Sequence, residues 1–318
     1  MNIVFLMDPL EEVIFEKDTS LALMWGAQRK GHKVFYLPNH GLSLTPDGPV
    51  AHVTEIEAST EKGESLFKRK RPRSFYPDDI DVMFIRTDPP FDQRYLLNSW
   101  ILDHMPESVV IINRPEGIRT VNEKLWAMKF SDIIPPAIVT QDKQEMLEFI
   151  EKYKKFIVKP TNGYGGRQIF VVSPGDVNQM VILETVSRSF TEKIIIQSYI
   201  DAAQTGDKRI LLLNGEPLGA ILRVHSSGDH RNNIFAGGQC FPASVTGNDW
   251  KIIQWLRPGL IELGLFFVGI DIIGDYLIEI NVTSPTCLQE INRAGNGLAL
   301  EDRVIEFAER LAMERRKQ

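Results

Sequence analysis

The sequence predicts an α/β protein: a doubly wound parallel sheet comes first, and the remainder has α+β character. Three observations carry this. Apolar segments at 2–7 and 34–37 flank a helical stretch from Thr19 to Lys30, which makes a βαβ unit and hence a parallel pair. The connection between strands 156–160 and 168–172 is too short for a helical crossover, so those strands pair antiparallel. Asn214-Gly215 separates two apolar runs, the strongest short hairpin signal.

Asp18 is the N-cap of the first helix and Gly31 its C′ stop. Residues 41–77 hold several Pro and Gly without a sustained period and are expected to be loop-rich. Asp81 to Arg86 reads as a strand, 92–104 as a helix and Val109 to Asn113 as a strand, closing a first domain over 1–120. A helix is expected from Val121 to Phe130, with Asn122-Glu123-Lys124 in its first turn. Strand 136–140, helix 143–153, strand 156–160, a glycine loop, strand 168–172, helix 176–188 and strand 193–197 form a central unit, 121–204. The last unit, 205–318, holds strands 208–213 and 217–224, a lid-like loop at 225–240, helix 249–263, strands 265–273 and 276–282, and helix 298–316.

A length of 318 residues exceeds the usual single core and implies two or three domains. With 43% hydrophobic and 25% charged residues the composition is that of a soluble globular enzyme. The net charge of −6 speaks against bulk nucleic-acid binding. The one basic run, Lys68-Arg69-Lys70-Arg71-Pro72-Arg73, is either a nucleic-acid patch or a solvated loop; its Pro and Ser favour the loop. Cys240 and Cys287 are the only cysteines, too few for a disulfide framework, which suits a reducing compartment. The N-terminus lacks a basic leader segment and meets Asp8 early, and no apolar run approaches the roughly 20 residues of a membrane span. The expected location is cytoplasmic, with neither nucleic acid nor membrane as a partner.

The chemistry starts at Val158-Lys159-Pro160-Thr161-Asn162-Gly163-Tyr164-Gly165-Gly166-Arg167. Gly163, Gly165 and Gly166 permit positive φ and close backbone approach, so amides can point at phosphate oxygens. A flexible hairpin turn is the bland alternative. Lys159, ending an apolar run, is either a snorkelling edge residue or a phosphate ligand. Lys124 is either a solvated helix charge or a second phosphate ligand. Gln197-Ser198-Tyr199-Ile200 is a strand exit that can present backbone groups to a base edge. Asp207 and Arg209 share one face of a strand. Asp207 can accept from ribose hydroxyls and Arg209 can hold an anion bidentately. With Arg223 on the paired strand, the two arginines suit an oxyanion or phosphoryl intermediate; surface ion pairing is the alternative.

Glu279 and Asn281 stand at i and i+2 on a strand, so both face one way. Asp271 lies in the preceding strand among Val268, Ile270, Ile272 and Ile273, where a carboxylate needs a partner. Two carboxylates and an amide suit Mg²⁺ better than a structural salt bridge. A strict two-residue Gly274-Asp275 turn would set Asp271 opposite Ile278 and rule out a shared site without a bulge. The metal reading therefore requires an odd loop, such as Gly274-Asp275-Tyr276, to set Asp271 opposite Glu279. The six histidines form no zinc pattern, and no Gly-x-Ser-x-Gly supports a serine nucleophile.

In order, Asn122-Glu123-Lys124, Val158-Lys159-Pro160, the glycine loop, Gln197-x-Tyr199, Asp207-Lys208-Arg209, Arg223, Asp271 and Glu279-x-Asn281 resemble the ATP-grasp superfamily. Over the whole length the chain resembles bacterial glutathione synthetases. Met7-Asp8-Pro9, Arg86-Thr87-Asp88-Pro89-Pro90-Phe91-Asp92, Asn122-Glu123-Lys124-Leu125, Ala236-Gly237-Gly238, and Val268-Gly269-Ile270-Asp271-Ile272-Ile273-Gly274-Asp275 with Glu279-Ile280-Asn281-Val282-Thr283-Ser284-Pro285-Thr286 are the specific matches. The resemblance implies an ATP-grasp fold, an ADP-forming ligase, ATP and Mg²⁺ (or Mn²⁺) as cofactors, γ-glutamylcysteine and glycine as substrates, and a homo-oligomer. It implies that Lys124 and Lys159 bind phosphates, that Gln197 and Tyr199 flank the adenine, and that Asp207 contacts the nucleotide. It further implies that Arg209 and Arg223 support the acyl phosphate, that Asp271, Glu279 and Asn281 hold the metal, and that Asp18, Ser20, Arg86, Asn233 and Ser284 face the donor peptide or glycine. Departures cluster at the substrate side: Arg223-Val224-His225 replaces Arg-Ile-Pro, the lid is altered, Gln239 follows its glycines, and Thr87 follows Arg86. A ligase for a different donor and amine, or a nucleotide-binding regulator without catalysis, are the alternatives this leaves.

Overall fold

The computed structural model describes residues 1–63, 65–225 and 238–317. Asn233 and most of the lid-like segment lie outside the described residues.

The chain opens with β1 (Asn2–Met7), α1 (Thr19–Arg29) and β2 (Lys33–Pro38). β1 is apolar and buried on both faces, as a central parallel strand must be. Asp18 caps α1, its Oδ1 accepting from Leu21 N at 2.9 Å. Next come β3 (Leu42–Thr45), β4 (Gly48–Ala58) and β5 (Phe67–Phe75). The expected loop at 41–77 is therefore largely strand. β4 and β5 form an antiparallel ribbon that extends the sheet through β2. The basic run lies on β5 rather than in a loop; the strand is exposed from Lys68 to Ser74 and buried only at its Phe67 and Phe75 ends. An element solvated on both faces has no apolar alternation to announce it. Ion pairs settle part of its charge: Lys70 and Arg73 meet Glu55 on the neighbouring strand.

β6 (Val82–Ile85), α2 (Gln93–Leu102), β7 (Val110–Ile112) and α3 (Pro115–Thr120) complete the first sheet, in the order β3-β4-β2-β1-β6-β7. β2, β1, β6 and β7 are mutually parallel. The helix expected over 121–130 is absent: α3 precedes it, and only a single 3₁₀ turn, Trp126–Lys129, lies within it. Asn122 instead spends its side chain on the backbone N–H groups of Lys124 and Leu125, both at 3.0 Å.

β8 (Ala137–Thr140), α4 (Lys143–Tyr153), β9 (Phe156–Pro160), β10 (Phe170–Val172), α5 (Gln179–Val186) and β11 (Ile194–Ser198) form a four-stranded sheet, β10-β9-β11-β8. β9 and β10 pair antiparallel, as the short connection requires. This sheet has its own small core around Phe156, Val158, Ile194 and Leu183.

β12 (Asp207–Leu213), β13 (Glu216–Val224), β14 (Gln239–Pro242), α6 (Gly247–Glu262), β15 (Phe267–Ile273) and β16 (Tyr276–Asn281) follow. Their sheet runs β14-β13-β12-β15-β16. Gln239 and Cys240, expected in the lid, sit in β14. Asn214 and Gly215 turn β12 into β13 with φ of 53° and 74°. The chain continues through α7 (Leu288–Ala294) and α8 (Leu300–Arg315).

The two larger cores each join the first sheet to the five-stranded one. Val4 and Phe35 share a cluster with Ile210 and Ile270; Ile3 and Phe5 share another with Leu211 and Phe267. Asn113, after β7, donates to the carbonyls of Phe267 and Val282 at 2.8 Å and accepts from Phe267 N at 2.7 Å. α8 lies against α1, with Arg29 2.6 Å from both Glu301 and Asp302. Among the described residues no helix is long and apolar enough to cross a membrane.

Candidate active site

A cleft of about 720 Å³ opens where the three sheets meet. β9 to β11 line one side and β12, β13, β15 and β16 the other; segments around Asp18 and Arg86 close the end.

Asp271 lies opposite Arg209 on β12 and opposite Glu279 on β16. The β15–β16 register does not arise from an odd loop, as the sequence reasoning required. Ile273 pairs with Tyr276 across a two-residue turn, and a bulge after Asp271 absorbs Ile278. That extra residue brings Glu279 to the face of Asp271, with Asn281 two positions on. Arg209 grips Asp271 through Nε and, at 2.8 Å, through Nη2; Arg223 Nη2 adds a contact at 3.0 Å. Burial disfavours the charge on Asp271, but the two guanidinium groups hold its carboxyl well below the usual carboxylate range. Arg223 also forks onto Asp207, Nε to Oδ1 at 2.9 Å. Burial pushes Asp207 upward and Arg223 opposes it. Both oxygens of Asp207 are thus already engaged, on the cleft wall where ribose was expected.

Asn281 donates through Nδ2 to Gly269 O at 3.3 Å and Asp271 Oδ2 at 3.4 Å, which leaves its amide oxygen for the cleft. Glu279 gives Oε1 to Lys124 Nζ at 2.7 Å. Among the described residues no three His, Cys, Asp or Glu side chains cluster into a metal cage. The oxygens on offer to a cation are those of Glu279 and Asn281. Both are hard donors that suit a divalent ion completing its shell with phosphate oxygens. Asp271 is held too tightly by arginines to lead such a set.

Lys159, on β9, points into the cleft and carries no hydrogen bond among the described residues. Burial lowers its pKa to about 8, against the pull of Glu279. Lys124 is engaged differently: besides Glu279 it donates to Gly163 O at 2.5 Å, and it does not line the cleft. Burial would lower its pKa, but Glu279 raises it. Gly165 and Gly166 line the cleft with φ of 64° and 74°. Gly163 does not, and a Cβ there would meet Pro160 Cγ at 2.7 Å. Gln197 and Tyr199 line the wall, with Lys155 Nζ 3.6 Å from the Tyr199 ring centre.

At the closed end, Arg86 Nε donates to Ser20 Oγ and Nη2 to Pro285 O, both at 3.0 Å, while buried Nη1 has no partner among the described residues. Ser284 donates to Arg86 O at 3.4 Å, and Asp18 is spent on capping α1, though both line the cleft. The sequence reasoning missed Glu123, which receives Val282 N, Thr283 N and Thr283 Oγ1 at 2.8, 3.1 and 2.9 Å and so fixes the turn after β16. It also missed Glu290, in α7, whose Oε2 is buried without a partner among the described residues. No spacing signal marks either residue.

Residues 1–119 match the family model described as prokaryotic glutathione synthetase, N-terminal domain. Residues 123–296 match prokaryotic glutathione synthetase, ATP-grasp domain. The glutathione synthetase of Escherichia coli (strain K12) is 40% identical over 287 residues, 90% of this chain and 90% of that protein. That of Gloeobacter violaceus is 37% identical over 314 residues, 96% of each. Among solved structures, D-cycloserine synthetase DcsG covers 97% of this chain and 99% of its own, with a TM-score of 0.66 at 13% identity. The ATP-grasp ligase PsnB with a precursor peptide and AMPPNP covers 98% of each chain, with a TM-score of 0.62 at 13% identity. These two share the fold.

Proposed function

The chain belongs to the prokaryotic glutathione synthetase family, and from that premise we infer how its cleft makes glutathione. The enzyme is an ATP-dependent carboxylate–amine ligase. The donor is γ-glutamylcysteine and the acceptor glycine. The cysteinyl carboxylate attacks the γ-phosphorus of ATP, ADP leaves, and an acyl phosphate forms. Glycine's amine attacks the acyl carbon, and phosphate departs with the C–O bonding pair.

Lys159 and the amides of Gly165 and Gly166 hold the nucleotide phosphates; Lys124 acts one step back, tying the glycine loop to Glu279. Gln197 and Tyr199 bound the adenine. Arg209 and Arg223, pinned by Asp271 and Asp207, face the acyl phosphate and the oxyanion that follows, where fixed donors stabilise developing charge. Glu279 and Asn281, with Asp271 beside them, would hold Mg²⁺, which neutralises phosphate charge when bound; Mn²⁺ suits the same donors. Arg86, with Ser20, Asp18 and Ser284 around it, receives the donor peptide. The same reading divides the chain at residues 120 and 204 and makes it a cytoplasmic homo-oligomer.

The observation that supports this most is the register of β15 and β16, which turns Asp271, Glu279 and Asn281 to one face, beside the cleft that Lys159 enters. The test is ADP release with γ-glutamylcysteine and glycine against panels of other donors and amines. Turnover with that pair alone is the expected result. ADP release only with a different pair overturns the substrate assignment, and none with any pair overturns catalysis.

A further inference from the structure

Glu290 sits in the first turn of α7 and lines the cleft. Its residue is only 7% exposed, yet Oε2 has no hydrogen-bond partner among the described residues. Arg293 pairs with its other oxygen only loosely, Oε1 and Nη2 lying 3.8 Å apart, beyond hydrogen-bond reach. Arg293 is committed elsewhere, donating to Glu16 O at 2.6 Å. A carboxylate in a helix's first turn gains from the dipole. That accounts for its charge but not for a desolvated oxygen left bare beside a cleft, which costs free energy unless a ligand supplies a donor.

Five other carboxylates at the cleft have protein partners. Asp271 and Asp207 serve the arginines, Glu279 serves Lys124, and Glu123 serves the turn at 282–283. Asp18 caps α1. α7 is seated on the segment that caps α1, Gln289 Nε2 donating to Asp18 O at 2.7 Å and Phe15 O at 3.0 Å, and Glu290, one residue on, lines the cleft from there. The charges that bear on Glu290 are Arg293, Lys17 and Arg209, the last of which grips Asp271. Cys287, buried in the cleft wall three residues before Glu290, lies within the charge field of Arg209, Arg223, Glu290 and Asp271, which sets Glu290 on the side of the arginine pair. An anionic oxygen near the arginines that hold an acyl phosphate is where an incoming ammonium would be received.

We propose that Glu290 is the acceptor-amine residue: its free oxygen binds the ammonium of glycine and takes the proton that must leave before the nitrogen can attack. An ammonium carries three protons and the amide product keeps one. Glu290 removes the first, freeing the lone pair. That pair forms the C–N bond, the C–O bond to phosphate breaks, and the second proton leaves with the phosphate. Burial raises the Glu290 pKa, which brings it nearer to that of a useful proton acceptor.

This inference rests on the ligase reading, so wild-type protein is assayed first. If γ-glutamylcysteine, glycine and ATP yield no glutathione, that reading fails before any variant is made. Glu290→Gln keeps the shape and removes the charge; Glu290→Asp keeps the charge. Two reactions are then followed. Positional isotope exchange in ATP requires the donor but no amine, and glutathione formation requires both. The expected result for Glu290→Gln is exchange within threefold of wild type, a KM for glycine raised at least tenfold, and loss of the acidic limb of the kcat/KM profile for glycine. Glu290→Asp should recover part of the rate and that limb. Glycine kinetics and a pH profile like wild type in folded Glu290→Gln, with folding checked by thermal denaturation, overturn the proposal. So does loss of isotope exchange with a raised KM for γ-glutamylcysteine, which would assign Glu290 to the donor's ammonium instead.

Discussion

Lys124 and Glu279 come from segments 155 residues apart and meet at 2.7 Å, with Gly163 O on the lysine's other side. One ammonium therefore joins the glycine loop to the strand that carries the candidate metal ligands. Lys124→Ala should unfix both. The expected cost is about 1–3 kcal/mol of stability, the usual penalty for stranding a partly buried partner. The KM for ATP should rise at least tenfold. Denaturant titration and initial rates measure the two; an unchanged KM would separate Lys124 from nucleotide binding.

Lys159 makes a pH prediction. Burial places its pKa near 8 in the free protein, against 10.5 unperturbed. Between those values the unfolded chain binds more protons than the folded one, so this residue favours folding as pH rises through that window and weighs against it below pH 8. ATP binding works the other way, because phosphate favours the ammonium. Affinity for ATP should fall by up to about tenfold per pH unit above pH 8, with proton uptake on binding. Calorimetric titrations in buffers of different ionisation enthalpy read both. Lys159→Met should bind ATP weakly at every pH; wild-type affinity in that variant would remove Lys159 from the phosphate site.

Glu279→Gln keeps the shape of the metal-facing strand and removes its charge. Binding of Mn²⁺ in the presence of a non-hydrolysable ATP analogue, followed by electron paramagnetic resonance, should weaken at least tenfold. Asn281→Ala should do the same more mildly. Undiminished Mn²⁺ binding in both variants would move the metal elsewhere.

Asn113 satisfies three buried backbone groups of β15 and the turn after β16. Asn113→Ala strands them and should cost about 2–4 kcal/mol. Because its hydrogen bonds go to Phe267 and Val282, which do not line the cleft, kcat at a temperature where the variant stays folded should be near that of wild type. A large loss of kcat without loss of stability would contradict a purely structural role.

The elements legible in the sequence were those with a one-sided or fully buried pattern. β1, β9 and β11 announce themselves as apolar runs, and β12–β13 by Asn214-Gly215. The β4–β5 ribbon was illegible because β5 is wet on both faces and its charges follow no period. The register of the metal strands was half legible. The i, i+2 spacing of Glu279 and Asn281 gave their common face, but whether an odd loop or a bulge restored Asp271 to it depends on backbone geometry that side-chain pattern does not encode. Asp207 shows the same limit: its position on the cleft wall was readable, but its capture by Arg223, 16 residues on, depends on hairpin pairing. Glu123 and Glu290 went unread because a single glutamate among polar neighbours looks like any solvated charge.

The seating of α8 has a consequence for how the polypeptide matures on the ribosome. Val304, Ile305 and Ala308 are fully buried in the same cluster as Ile3, Phe5 and Leu21. The first residues made thus wait for some of the last before one face of their sheet is dry. Until Leu300 and its successors have emerged, the nascent α1 presents an uncovered apolar face, and trigger-type chaperones have a target for most of translation. A stalled chain ending at residue 296 should remain protease-sensitive in its first 120 residues, whereas one carrying α8 beyond the exit tunnel should not.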